Sequence, residues 1–227
     1  MQKTHTDREY ENQLRELREE LLLMAGRVEK MIEESVRSLV QRDVDLAKRT
    51  IESDHKVNRA EIDIDTRCMV ILAKRQPMAS DLRSITLSLK MVTDLERIGD
   101  LAVNICERAI DLSAAPQLKS WEDVPRMASI VQSMVRDAID AFVAKDADKA
   151  QAVIDRDDEV DELYTRVFRD ILAIMLKDAG TVQRGIHVQS VAKWLERMAD
   201  HATNIAEQVI FMIRGQDVRH HGKLDDE

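Results

Sequence analysis

The chain has 227 residues, enough for one large domain or two small ones. It is 44% hydrophobic and 34% charged, with only 3% aromatic residues, 6 Gly and 3 Pro. So few turn formers, set among plentiful Ala, Leu, Met, Glu, Lys and Arg, describe a chain that is nearly all helix. The formal charge of −9 excludes the clustered positive surface that nucleic-acid phosphates need, and it leaves room for cations and basic partners.

No apolar run approaches the ~18 residues of a membrane span, and no signal peptide opens the sequence, so a cytoplasmic protein is expected. The first predicted helix runs from about residue 8 to 42, with Leu14, Leu17, Leu21, Met24, Val28, Met31 and Ser35 at helical spacing. It stops at Asp43 and Asp45, and Asp45 is the expected N-cap of a second helix reaching to about Arg75. Pro77 breaks that helix, and Ser80 or Asp81 opens a third that reaches to about Ser113. Cys68 and Cys106 lack CxxC spacing and read as reduced, buried thiols, with a disulfide pair as the alternative. Pro116 and Pro125 frame a linker, after which the three-helix pattern returns from about Val124 to Gly215. The closing "QDVRHHGKLDDE" is a polar tail. The expected fold class is all-α, two tandem three-helix bundles packed side by side. The first covers 8–115, the second 121–215, and the tail 216–227.

The return of the pattern is an internal duplication. "LERIGDLAVNI" (95–105) is followed by "LERMADHATNI" (195–205), and "RDVDLAKRTIESDHKVN" (42–58) by "KDADKAQAVIDRDDEVD" (145–161). The offset falls from 103 to 100, so about three residues are missing from the second copy near Asp178-Ala179-Gly180.

In the third helix Leu82, Ile85, Leu89, Val92, Glu96 and Asp100 form one stripe that begins apolar and turns acidic. Ile98, Leu101 and Ile105 make a second apolar stripe roughly opposite, so the carboxylates are expected near a bundle surface without full solvation. The second copy keeps Glu196, Asp200 and Asn204 in register. Carboxylates one turn apart repel, and two kinds of compensation are open. Arg97 and Arg197 can make a salt-bridged helix surface, or a hard cation can take oxygen ligands from both acids. The second helix adds Asp54, Asn58, Glu61 and Asp65 at i, i+4, i+7 and i+11, with Asp157 and Asp161 as counterparts.

The remaining candidates are plainer. His201 sits ~100° around the helix from Asp200 and reads as surface or supporting; His187 reads as a polar-face residue, and His220 and His221 as solvated. "RQPMASDLR" is first a helix–turn–helix corner and second a docking surface through Arg75, Asp81 and Arg83. No Ser-His-Asp set, Gly-rich phosphate loop or HExxH appears, so no enzyme is expected. A ferritin-like di-metal oxidase needs Glu-x-x-His pairs, and neither ERIGD nor ERMAD supplies the histidine. The other class left open is a metal-independent helical adaptor whose acidic stripes are solvated.

"DLAKR", "AKRQPMASDLRSI", "DLERIGDLAVNIC" and "GQDVRHHG", in that order over essentially the whole chain, resemble the PhoU family of bacterial phosphate-transport accessory proteins. The resemblance implies two tandem three-helix bundles and a regulator that is not an enzyme. Such a protein works with the ATPase subunit of the phosphate ABC transporter and with the phosphate sensor histidine kinase. It holds the phosphate-starvation genes off and restrains uptake when phosphate is plentiful. A homodimer is implied, placed peripherally at the inner membrane through its partners. The family's metal-binding E(D)xxxD motifs carry over onto Glu96 with Asp100 and Glu196 with Asp200. A looser match extends them to Asp54, Asn58 and Glu61, and to Asp157 and Asp161. The implied metal is divalent, such as Mg or Mn, or iron. Ala199 replaces the second glycine of the motif, and Tyr164 stands where the first copy has Glu61, so the two sites are expected to be unequal, the first tighter.

Overall fold

The computed structural model of the chain describes residues 5–118 and 123–215. The expected tail 216–227, with His220 and His221, and the expected second-bundle start at 121 lie outside the described residues. The helices are α1 (His5–Gln41), α2 (Val44–Ser53), α3 (His55–Arg75), α4 (Ala79–Ser113), α5 (Asp123–Ala144), α6 (Ala147–Asp155), α7 (Asp157–Lys177) and α8 (Val182–Arg214), with a 3-10 turn at Ala179–Thr181 before α8.

The corner after α1 is written in its last residues. Arg42 turns left-handed (φ 59°), and the Asp43 N–H reaches back to the Ser38 carbonyl at 2.9 Å, the closure that satisfies a helix's last carbonyls. Asp43, and not the expected Asp45, is the N-cap of α2: its carboxylate accepts from the Leu46 N–H at 2.8 Å. Asp45 falls inside the first turn, where its charge suits the helix dipole. The second copy repeats the device, with Lys145 left-handed (φ 54°) and Asp146 accepting from the N–H groups of Asp148 and Lys149.

The expected single second helix is two. The Asp54 N–H bonds only three residues back, to Ile51 at 3.1 Å, and this tightened turn bends the rod between α2 and α3. The same bend recurs at Arg156 between α6 and α7, through Val153 at 3.2 Å. The third helix also opens differently from expectation. Met78 precedes α4 and no side chain caps it, because Asp81 instead accepts a hydrogen bond from the Tyr10 hydroxyl at 3.0 Å. Burial, reinforced by Asp81, pushes the Tyr10 phenol up to about 12. Arg75 ties the same corner to α1 through Gln13 at 3.0 Å and Glu9 at 2.8 Å. Of the three docking candidates, Arg75 and Asp81 are therefore engaged within the chain, and Arg83 is exposed.

Counting each bent pair as one rod, the chain is two three-helix bundles, α1 with α2–α3 and α4, then α5 with α6–α7 and α8. The expected α1 stripe is buried from Leu17 to Ser35, with Leu14 half-buried. In the α4 stripe Ile85 and Val92 are buried, but Leu82 lies exposed near the helix start. Cys68 and Cys106 are free, buried thiols, both pushed up to about 12 chiefly by burial. One apolar core runs through both halves. Among the described helices, contacts between halves join α4 to α8 and α1 to α5, each helix to its own counterpart, the pairing of a two-fold related assembly. Among the described residues no helix is long and apolar enough to cross a membrane.

Candidate metal centres

Each bundle presents its acidic residues where the bent rod crosses the last helix. On the first, Glu96 and Asp100 stand one turn apart on α4, their side chains 17% and 43% exposed. Asp54 comes from the bend between α2 and α3, and Gly99 faces its side chain and that of Val57. A Cβ at that glycine would lie 3.4 Å from both Asp54 Oδ1 and Val57 Cγ1. Asn58 Nδ2 donates to Asp54 Oδ2 at 2.8 Å. The other oxygens, Asp54 Oδ1 and Asn58 Oδ1, are buried without a hydrogen-bond partner, as is Asp65 Oδ1.

The electrostatics tie these residues to one region. Burial first, then the neighbouring carboxylates, raises the pKa of Glu96 (Asp100, Glu61 and Asp54) and of Glu61 (Asp65 and Asp100). Burial and Asp100 likewise raise Asp54, opposed by its Asn58 hydrogen bond. Arg97 lies on the rim, 3.6 Å from Glu96 and 3.5 Å from Asp100. The five first-half candidates therefore gather on one face, with Asp65 at its end.

The second face keeps the plan with different occupants. Asp157, at the start of α7 beyond the bend, has a buried Oδ1 with no partner. Burial and then Asp161, Asp200 and Glu196 push its pKa up to about 6. Asp161 and Asp200 are raised in turn by burial and by Glu196. Glu196 Oε2 is buried without a partner, whereas its Oε1 holds the Lys193 ammonium at 2.5 Å. That ammonium also lies 5.4 Å over the ring of Tyr164, the residue standing where the first copy has Glu61. Lys193 is the residue the sequence reading passed over; its signal was the repeat itself, which pairs it with Thr93. Asn104 is half-buried and Asn204 exposed. His201 turns away from both faces and places Nδ1 2.9 Å from Asp94 on α4, across the joint between bundles. His187 lies beside Arg108 at 3.5 Å and Asp111 at 3.8 Å on the same joint.

Among the described residues, no three His, Cys, Asp or Glu side chains converge closely enough to hold a metal ion as they stand. The chemistry of the donors nevertheless suits a hard cation: carboxylate and amide oxygens, several buried and lacking any donor. Such oxygens cost free energy unless a proton or a cation meets them.

The PhoU domain family matches this chain twice, over residues 21–109 and 124–209. The chain is 42% identical over 219 residues to a phosphate-specific transport system accessory protein PhoU homolog of Pseudomonas putida, covering 96% of this chain and 86% of that one. Its fold is similar to the crystal structure of PhoU from Pseudomonas aeruginosa, with TM-score 0.88, 40% identity, and coverage of 91% of this chain and 100% of the other. The phosphate transport system regulatory protein PhoU from Streptococcus pneumoniae follows with TM-score 0.85, 27% identity, and coverage of 92% and 99%.

Proposed function

The chain belongs to the PhoU family, whose members are accessory and regulatory proteins of phosphate transport and not enzymes, and from that premise we propose that it is a negative regulator of the phosphate-starvation response and of high-affinity uptake. It acts by protein contacts with the ATPase subunit of the phosphate ABC transporter and with the sensor histidine kinase. Its place is cytoplasmic, peripheral to the inner membrane through these partners, and its working form is a homodimer. The observation that carries the reading is the match, over 96% of the chain, to a named phosphate transport accessory protein. Exposed apolar side chains such as Met69, Leu176 and Ile186 supply material for such contacts. The test is a deletion strain carrying a phosphate-starvation reporter: reporter expression is expected in phosphate-rich medium, and full repression there would overturn the assignment. Pull-downs with the ATPase subunit and the kinase's cytoplasmic region test the partners.

In the same reading each bundle binds a hard metal ion. Glu96, Asp100, Asp54, Asn58 and Glu61 would hold it on the first, and Glu196, Asp200, Asp157 and Asp161 on the second. Bound there, a divalent ion such as Mg or Mn, or iron, supplies positive charge to carboxylates that burial disfavours. The buried oxygens without partners support this. A metal-independent adaptor is the second reading, favoured by the absence of three converging ligands among the described residues. Metal content after mild purification separates the two. Glu96→Gln with Asp100→Asn, made together with Glu196→Gln and Asp200→Asn, is expected to abolish bound metal while the apoprotein stays folded. Unchanged stoichiometry would leave the adaptor.

A further inference from the structure

The two acidic faces differ at matched positions of the repeat. Glu61 is replaced by Tyr164, which removes a carboxylate, and Thr93 by Lys193, which adds an ammonium; Asn58 is replaced by Asp161, which returns one negative charge. On the first face Thr93 is exposed and turns its hydroxyl back to the Leu89 carbonyl at 3.4 Å. On the second, Lys193 reaches forward one turn to Glu196 at 2.5 Å. Its ammonium sits over the Tyr164 ring, 5.4 Å from the centroid, where the ring's negative face attracts a cation. The aromatic that displaced one acid thus helps to hold the cation that neutralises another.

We propose that Lys193 is the built-in counter-ion of the second acidic face, sharing there the charge role that a metal fills alone on the first, so that the second half of the duplication binds metal more weakly. This rests on the metal reading given above for the first face. Glu196 divides its two oxygens accordingly: Oε1 is committed to Lys193, and Oε2 is buried without a partner. A metal arriving at the second face must displace a tethered ammonium, whose local concentration no dilution lowers.

Two measurements on the full chain, stripped of metal, test this with Mn2+ as the probe. In the first, Mn2+ binding to the unaltered protein is expected to fall strongly with Glu96→Gln, at the tighter first face, and less with Glu196→Gln, at the weaker second. Lys193→Thr, which restores the first-half residue, is expected to tighten Mn2+ binding at the second face about fivefold, the size that loss of one part-exposed ion pair commands. Adding Glu196→Gln should cancel that gain. In the second, no metal is present: Lys193→Met is expected to lower the urea midpoint in the native background but not in a Glu196→Gln background. Equal loss in both backgrounds overturns the counter-ion, as does Mn2+ binding at the second face that Lys193→Thr does not change. If the urea cycle shows coupling while no variant binds Mn2+, the metal reading fails and the counter-ion stands. If Mn2+ binds the first face and the cycle is flat, the reverse holds.

Discussion

Asp157 carries a pH dependence in a single side chain. Burial and three facing carboxylates raise its pKa from 3.8 to about 6, so the folded protein holds this proton more tightly than the unfolded chain does. The stability it contributes is fully present below the unfolded pKa and is lost as pH rises through about 6. Urea titrations of metal-free protein are expected to show a loss of roughly 1 kcal/mol from this group between about pH 4 and pH 7, about a third of the undiminished linkage value, because solvent screens a half-buried carboxylate. Asp157→Asn should remove that loss, and equal slopes with pH in the two proteins would refute it. A second residue-scale prediction concerns Lys145, exposed and left-handed at the end of α5. A side chain there costs ~1 kcal/mol, so Lys145→Gly is expected to raise the thermal midpoint despite glycine's greater unfolded freedom; a fall would show that the corner tolerates Lys without strain. Glu96, Asp100 and Asp54 were legible because the repeat writes them twice, as Glu196, Asp200 and Asp157. Lys193 was not, because a repeat directs attention to what it preserves and Lys193 is where it departs.

At the scale of elements, the bends at Asp54 and Arg156 bring the second-helix acids beside those of α4 and α8. Neither could be read from the sequence: residues 44–75 and 147–177 contain no Gly or Pro, and the helical period passes through both bends without a break. The N-caps failed for a related reason. Asp43 and Asp45 are equally suitable by type, and Asp81 was claimed by Tyr10 from a helix 71 residues away, which local pattern does not report. Gly99 offers a test of how tightly α4 meets its bend. An added Cβ would make contacts of 3.4 Å, and the matching Ala199 is fully buried without exclusion. Gly99→Ala is therefore expected to leave the melting temperature unchanged or raise it, the helix gaining up to ~1 kcal/mol. A marked drop would mean that Asp54 cannot move by even a few tenths of an ångström.

The whole molecule was legible as two bundles but not as one core. Composition and periodicity give three rods per half, yet which faces join the halves depends on residues that look like any other buried stripe. The structure runs its apolar cluster through α4 and α8 without interruption. Unfolding is therefore expected to be a single transition, with far-UV circular dichroism and tryptophan fluorescence coinciding across urea; two separated transitions would show that the bundles are independent. The polar contacts of the joint are not repeated across its pseudo-two-fold. Asp94 receives His201 at 2.9 Å and lies 3.5 Å from Gln208, while the repeat counterparts of Asp94 and His201 are Trp194 and Leu101, which can form no such pair. In an assembly of two identical chains every substitution is made twice, so each contact across the axis and its mirror image must change together. Fusing the halves into one polypeptide removes that restriction. Selection can then alter one side of the joint, or one of two acidic faces, and leave the other as it was.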